Sequence, residues 1–175
     1  MERRRVDDAI GALHAVIRDI RNFIFGLRPV LLETGTLTDG LEHLAAELHR
    51  NGGVRVEVSA AAPDGVVAAL PIELVAELLA VAREALSNIA RHATATEASV
   101  RLSAGDDELT LELADNGRGF RPGDAPERGH NGLANIRART EGLGGRFEMT
   151  SAPGSGTRMI ITVPIGTSPS HGDQQ

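Results

Sequence analysis

The chain has 175 residues, a formal net charge of −6 and a hydrophobic content of 41%. It contains no Cys, Trp or Tyr, and all 18 of its basic Lys-or-Arg positions are Arg. These absences exclude disulfides, thiolate metal sites, Schiff-base chemistry and a P-loop lysine. The acidic balance and the 2% aromatic content argue against direct binding of nucleic acid. The length suits one domain with a short extra element.

The N-terminal segment carries a heptad pattern that predicts a helix packed against other helices. Its apolar residues are separated alternately by four and three positions: Val6, Ile10, Leu13, Ile17, Ile20, Ile24 and Leu27. Pro29 ends the predicted helix, because the residue before a proline disfavours helical geometry. No apolar run approaches the ~20 residues that cross a bilayer. We therefore expect a cytoplasmic segment without membrane contact.

The rest of the chain alternates between helical and strand patterns. Further helices are predicted over residues 37–50, 71–91 and 133–143, and strands over 54–58, 98–102, 109–113, 146–151 and 157–163. Hairpin-linked strands predict a mixed sheet, and helices with one apolar face predict an α/β two-layer sandwich. The Gly- and Pro-rich stretch 116–132 has no periodicity, which is typical of a functional loop, and the residues from Gly166 onward read as a disordered tail.

A polar stripe runs along the long central helix. Glu84, Asn88, Arg91 and His92 occupy positions i, i+4, i+7 and i+8, so an α-helix places them on one face. Hard oxygen ligands and cationic groups together could hold Mg²⁺ and phosphate. The alternative is an ordinary solvated helix face.

Three glycine-rich motifs follow this helix. Residues 115–120 read Asp-Asn-Gly-Arg-Gly-Phe after a strand, which allows a ligand to approach the backbone closely, although Asp-Asn-Gly is also common in turns. Residues 129–133 read Gly-His-Asn-Gly-Leu at a helix entry, where backbone N–H groups can bind an anion, or where a linker simply ends in a cap. Residues 154–157 read Gly-Ser-Gly-Thr, which also fits a plain hairpin.

The four motifs in this order resemble the N, G1, G2 and G3 boxes of the GHKL ATP-binding superfamily. Residues 83–93, Arg-Glu-Ala-Leu-Ser-Asn-Ile-Ala-Arg-His-Ala, are most similar to NarL/DesK-type sensor histidine kinases. The helix end Leu27-Arg28-Pro29 resembles the close of the second dimerisation helix in that subfamily. The resemblance implies a Bergerat-type α/β fold with a mobile lid at about residues 121–131, and ATP and Mg²⁺ as ligands.

The resemblance also implies a role for each matching residue. Asp115 would bind the adenine amino group, and Thr157 would support the adenine end through its hydroxyl or a water. Asn88 would hold Mg²⁺, and Glu84 would orient a metal-bound water or assist proton transfer, so these two are the predicted catalytic residues. The other predicted ATP-binding residues shape the pocket or face the phosphates: Arg91, His92, Gly117, Gly119, Phe120, Gly129, Gly132 and Leu133.

The domain prediction follows from the same resemblance. Residues 1–30 would be the second helix of a dimerisation and phosphotransfer hairpin and would form a homodimer, 31–165 the catalytic domain and 166–175 a tail. None of the six His has the context of a phosphoacceptor, so the chain is expected to start after that helix. It would phosphorylate a histidine on a helix of the same or a partner chain, which then supplies a LuxR/NarL-type response regulator. A GHKL serine kinase of the anti-sigma type, a gyrase- or chaperone-type ATPase and a non-catalytic regulatory module are the alternatives.

Overall fold

A computed structural model describes residues 36–105, 107–121 and 131–166. The predicted dimerisation helix over residues 1–30, the tail beyond Gly166 and the predicted site residue Gly129 lie outside the described residues. No helix in the described ranges is long and apolar enough to cross a membrane.

The first described helix, α1, spans Leu37–Gly52 and confirms the predicted helix over residues 37–50. Thr36 caps its start, since the Thr36 hydroxyl accepts a hydrogen bond from the Asp39 backbone N–H. Gly53 ends it in the left-handed conformation at φ 67°. The strand β1 then covers Arg55–Ala61, so it begins one residue later and ends three residues later than the predicted strand over 54–58. A short helix, α2 (Asp64–Ala68), follows where no element was predicted. Five residues are too few to show a helical period in the sequence.

The central helix α3 spans Ile72–Asn88 and buries one face in the core. It continues as a π-helical turn over Ile89–Ala93, and Thr94 follows in the left-handed conformation at φ 53°. The predicted helix over residues 71–91 is therefore confirmed in extent, whereas its last turn is not α-helical. Turns of this type are wider than an α-helix and are frequent at functional sites.

Five strands form one mixed sheet in the order β1-β2-β3-β5-β4 among the described residues. The further strands are β2 (Glu97–Ala104), β3 (Glu108–Asp115), β4 (Arg146–Ser151) and β5 (Thr157–Pro164), and the helix α4 (Asn131–Gly142) precedes β4. β1 pairs with β2 in parallel, and the other three pairs are antiparallel. The mixed sheet predicted from the hairpins is thus confirmed.

The core lies between this sheet and the helices α1, α3 and α4, so the predicted two-layer α/β sandwich is confirmed. Along β3 the odd-numbered residues Leu109, Leu111 and Leu113 are fully buried, whereas the even-numbered ones, on the opposite face, are exposed or half-buried. The same alternation places Asp115, the last residue of β3, on the helix-facing side. The sheet thus carries a charged residue at the end of a buried row.

Candidate functional site

The candidate site has two parts: the contact between α3 and the start of α4, and the end of β3, whose following loop contacts the π-helical turn at the end of α3. Glu84 and Asn88, one turn apart on α3, are both half-buried. A methyl group on Gly132 of α4 would lie 3.2 Å from both carboxamide atoms of Asn88 and would overlap Oε1 of Glu84. The α4 backbone therefore contacts both polar side chains, as only glycine permits. The structure brings together three of the predicted site residues here.

The side-chain amide of Asn88 has a buried hydrogen-bond donor without an acceptor in the described part of the chain. Its Nδ2 is buried and has no hydrogen-bond partner among the described residues. Buried donors are nearly always paired in native proteins, and an orphaned one costs free energy. An unpaired amide beside a glycine backbone indicates a position where a bound group completes the site.

Asp115 supplies a partly buried carboxyl group to the site. Burial raises the pKa of its carboxyl above the ordinary value, and hydrogen bonds from the backbones of Gly117 and Thr157 lower it in part. The Gly117 N–H donates to Oδ1 of Asp115 over 2.8 Å. A partly desolvated carboxylate is a common mark of a binding site.

The loop after Asp115 is fixed by the neighbouring elements. The Arg118 N–H donates to the Ala93 carbonyl at the end of the π-helical turn, over 2.8 Å. The side chain of Asn116 accepts from the backbone N–H groups of Thr96 and Glu97 at the start of β2. These bonds hold the Asp115 carboxylate beside the helix layer.

The β4–β5 hairpin closes the other side of this loop. Gly119, with φ 57°, lies so close to the hairpin that a side chain on it would overlap the Ala152 carbonyl. The Gly154 N–H donates to the Arg118 carbonyl over 2.6 Å, and the Phe120 N–H donates to the Ser151 hydroxyl over 3.0 Å. Thr157 follows the hairpin and is 8% exposed.

The other predicted site residues that the structure describes lie at the start of α4 and in the π-helical turn. Leu133 packs against the core from the first turn of α4. Arg91 and His92 lie in the π-helical turn and are exposed. Because that turn does not follow α-helical spacing, the i+7 and i+8 positions do not establish that Arg91 and His92 share a face with Glu84. Their contact with phosphate stays a prediction.

Ser151 was missed by the sequence reasoning. It sits directly opposite Thr157 in the β4–β5 register and hydrogen bonds to both the hairpin and the loop. Its position at the start of a hairpin that ends in Gly-x-Gly-Thr was the available signal.

The sequence and the fold of this chain are similar to those of known proteins. The family model described as histidine kinase-, DNA gyrase B- and HSP90-like ATPase matches residues 74–167. The sensor protein VraS of Staphylococcus aureus (strain COL) is 31% identical over 172 residues, which cover 96% of this chain and 48% of VraS. The sensor histidine kinase NarS of Mycobacterium tuberculosis is 34% identical, over 92% of this chain and 37% of NarS. The chain thus spans about half or less of these relatives.

Solved structures share the fold. The histidine kinase domain of the blue-light activated histidine kinase EL346 from Erythrobacter litoralis aligns with a TM-score of 0.59 and 25% identity, over 74% of this chain and 61% of that chain. A second structure of that kinase aligns with a TM-score of 0.67 and 22% identity, over 93% of this chain and 60% of that chain. The latter likeness bears on the fold alone.

Proposed function

This chain belongs to the family of histidine kinase-, DNA gyrase B- and HSP90-like ATPases, and we propose that it is the ATP-binding module of a sensor histidine kinase. The observation that carries the proposal is the junction of α3 and α4, where the Gly132 backbone lies against Glu84 and the unpaired Asn88. The motifs that form this junction are those by which the sequence resembles the N and G2 boxes. The sensor kinases VraS and NarS align with nearly all of the chain.

Asp115 binds the base of the nucleotide in this proposal. An ionised carboxylate only accepts hydrogen bonds, so it pairs with the exocyclic amine of adenine. Gly117, Gly119 and Phe120 form the adjoining wall, and Thr157 lies beside Asp115 in the β3–β5 register. Gly132 and Leu133 line the side towards the phosphates, with Arg91, His92 and Gly129 as further contacts.

The Asn88 carboxamide fits a magnesium ion that is carried by the nucleotide. No cluster of three or more His, Cys, Asp or Glu side chains suited to a metal occurs in the described part of the chain. Mg²⁺ takes few protein ligands and shares the others with phosphates and water, and the Asn88 Oδ1 is a hard oxygen of the kind that it prefers. Bound there, the ion would neutralise phosphate charge during transfer.

Glu84 is the proposed proton-handling group. Its carboxylate lies against Gly132, next to Asn88, on the side where the phosphates would enter. We expect it to orient a water or to take the proton from the attacking histidine nitrogen. That nitrogen forms its bond to the γ-phosphorus as the bond from phosphorus to the ADP oxygen breaks.

The wider assignment is also a proposal. Residues 31–165 would form the catalytic domain of a NarL/DesK-type kinase, and residues 1–30 the helix that dimerises it. The phosphoacceptor histidine would lie on a helix of the same or a partner chain, and a LuxR/NarL-type response regulator would receive the phosphoryl group.

Binding is tested first. We expect calorimetry to detect MgADP binding by the 175-residue chain and to detect none by Asp115→Ala or Asn88→Ala. Ser103→Ala, an exposed β2 position away from the site, is the control and should bind as the unmodified chain does. Absence of binding by the unmodified chain would contradict the proposal.

Transfer is tested next. The chain is incubated with γ-labelled ATP and a polypeptide that carries the phosphoacceptor hairpin of a related sensor kinase. We expect acid-labile label on the hairpin histidine. Acid-stable label on serine would favour the anti-sigma type of kinase, and nucleotide binding without any labelled protein would favour a regulatory module.

A further inference from the structure

Three polar side chains form a row across the helix-facing side of the sheet. Asp115 of β3 pairs with Thr157 of β5, and Thr157 pairs with Ser151 of β4. Directly opposed residues of neighbouring strands place their side chains on the same face. Asp115 follows the buried leucines of β3, so the whole row faces the helices at one end of the core.

Ser151 makes three hydrogen bonds with its single hydroxyl. Its Oγ donates to the Gly156 carbonyl over 2.9 Å and accepts from the Phe120 N–H over 3.0 Å. The third contact joins its Oγ to the Thr157 Oγ1 over 3.1 Å. A hydroxyl has one proton to donate and two lone pairs to accept with, so three bonds use its full capacity.

The direction of the third bond follows from this count. The Gly156 carbonyl can only accept, so it takes the one proton of Ser151. The Phe120 N–H can only donate, so it takes one lone pair. Thr157 must therefore donate its own hydroxyl proton to the second lone pair of Ser151, which leaves Thr157 with lone pairs alone to offer a ligand.

We propose that Ser151 is a positioning residue that fixes the Thr157 hydroxyl as an acceptor and thereby makes the site selective for a 6-amino purine over a 6-oxo purine. The inference rests on the proposed nucleotide function. Asp115 and Thr157 then present two acceptors side by side, which match the two N–H groups of an exocyclic amine. A carbonyl oxygen at the same position of the base would face two acceptors and no donor, and an unmatched polar group of this kind is a strong source of discrimination.

The surrounding backbone keeps Ser151 in this role. A side chain on Gly156, which has φ 69°, would overlap the Asp115 carbonyl, so the hairpin lies directly against the end of β3. The Gly154 N–H also donates to the Arg118 carbonyl. These contacts hold both the Gly156 carbonyl and the Phe120 N–H at Ser151, so its proton cannot turn freely towards Thr157.

The test compares the affinities for MgADP and MgIDP, which differ by an amine or a carbonyl at position 6. We expect the unmodified chain to prefer ADP. In Ser151→Ala the Thr157 hydroxyl can turn and donate to a carbonyl, so the ratio of the two affinities should fall roughly five- to tenfold, the worth of one hydrogen bond. Ser151→Thr keeps the hydroxyl and should restore the preference. Ser103→Ala should leave both affinities unchanged.

A second arm uses Thr157→Val, which removes the hydroxyl that Ser151 is proposed to orient. In that background Ser151→Ala should not change the ADP-to-IDP ratio further. An equal loss of both affinities in Ser151→Ala, with the ratio unchanged, would overturn the inference. Ser151 would then only hold the loop after Asp115 in place through its hydrogen bond with Phe120. If the unmodified chain binds ADP and IDP equally well, the inference fails while nucleotide binding stands. If it binds neither, the proposed function fails and the inference with it.

Discussion

The strand β3 carries carboxyl groups on both faces of the sheet, and their pKa values are shifted in opposite directions on the two faces. On the solvent face, Arg146 donates two hydrogen bonds to Glu108, and Arg158 donates two to Glu112, all over 2.6 to 3.0 Å. Hydrogen bonds from these arginines lower the pKa of both glutamates. On the helix-facing side, burial instead raises the pKa of Asp115, whose carboxyl accepts hydrogen bonds from the backbones of Gly117 and Thr157.

These opposite pKa shifts distinguish charged groups that stabilise the fold from charged groups that are available to bind a ligand. Solvent-exposed ion pairs contribute about 0–1 kcal/mol each, because water and salt screen them. A partly buried carboxylate and an unpaired buried amide reduce stability and are completed by a bound partner. We therefore propose that Asp115 and Asn88 bind the ligand, whereas the arginine–glutamate pairs stabilise the fold.

The largest expected effect is that of Asp115→Asn. Replacing the carboxylate by a carboxamide presents a donor to the adenine amine, so affinity for MgADP should fall roughly 100-fold, the worth of a charged hydrogen bond. Above the raised pKa the ionised Asp115 destabilises the folded state, so the neutral variant should unfold at an equal or higher temperature. Calorimetry and thermal unfolding measure the two effects. A lowered melting temperature would mean that Asp115 serves the fold.

Gly132→Ala should have the next largest effect. The added methyl group would displace the Glu84 carboxylate and press on Asn88, so we expect affinity for MgADP to fall on the order of tenfold, by the cost of losing about one hydrogen bond. Gly142→Ala is the matched control on the same helix, since a methyl group there meets no atom within 4 Å. The control should keep its affinity. Equal affinity in both variants would mean that the α3–α4 junction does not bind the ligand.

Acidification should weaken ligand binding and the ion pairs of the solvent face at different pH values. The pKa of Asp115 is raised, so MgADP affinity should decline as the pH falls through a value above the ordinary aspartate range, by at most about tenfold per pH unit for one proton. The pKa values of Glu108 and Glu112 are lowered, so their stabilising contribution is present above the unfolded-state pKa and is lost only as the pH falls through the lower folded values. Affinity should thus decline before the ion pairs are lost.

Calorimetry at stepped pH, with urea unfolding at the same pH values, measures both transitions. Asp115→Asn is the control, because it shares any titration of the nucleotide phosphates but lacks the carboxyl. If the variant loses the same fraction of its affinity on acidification, the pH dependence comes from groups other than Asp115.

The smallest expected effect is that of Glu112→Gln. This change removes a charge from the ion pair with Arg158, whose side chain is 55% exposed while that of Glu112 is 19% exposed, so partial screening reduces the loss of stability to about 1 kcal/mol. We expect a fall in melting temperature of less than about 4 °C and unchanged affinity for MgADP. A large loss of affinity would show that the solvent face also contributes to binding.

Local patterns in the sequence predicted most of the elements and their order. The helix from Leu37, the central helix, the five strands and the mixed sheet all follow from periods of 3.6 and 2 and from turn residues. The helix α2 was missed because it is a single short turn. The π-helical turn was missed because its altered hydrogen bonding has no distinct residue pattern.

The sequence by itself also indicated which residues could form a site, because four motifs that each have an ordinary structural alternative occur together in the order of the GHKL boxes. Only the tertiary structure decided which of them meet. It placed Gly132 against Glu84 and Asn88, and it aligned Ser151 with Thr157 and Asp115 in one row. The physical reason is that strand register and helix packing depend on contacts between residues far apart in the chain, which local periodicity does not encode.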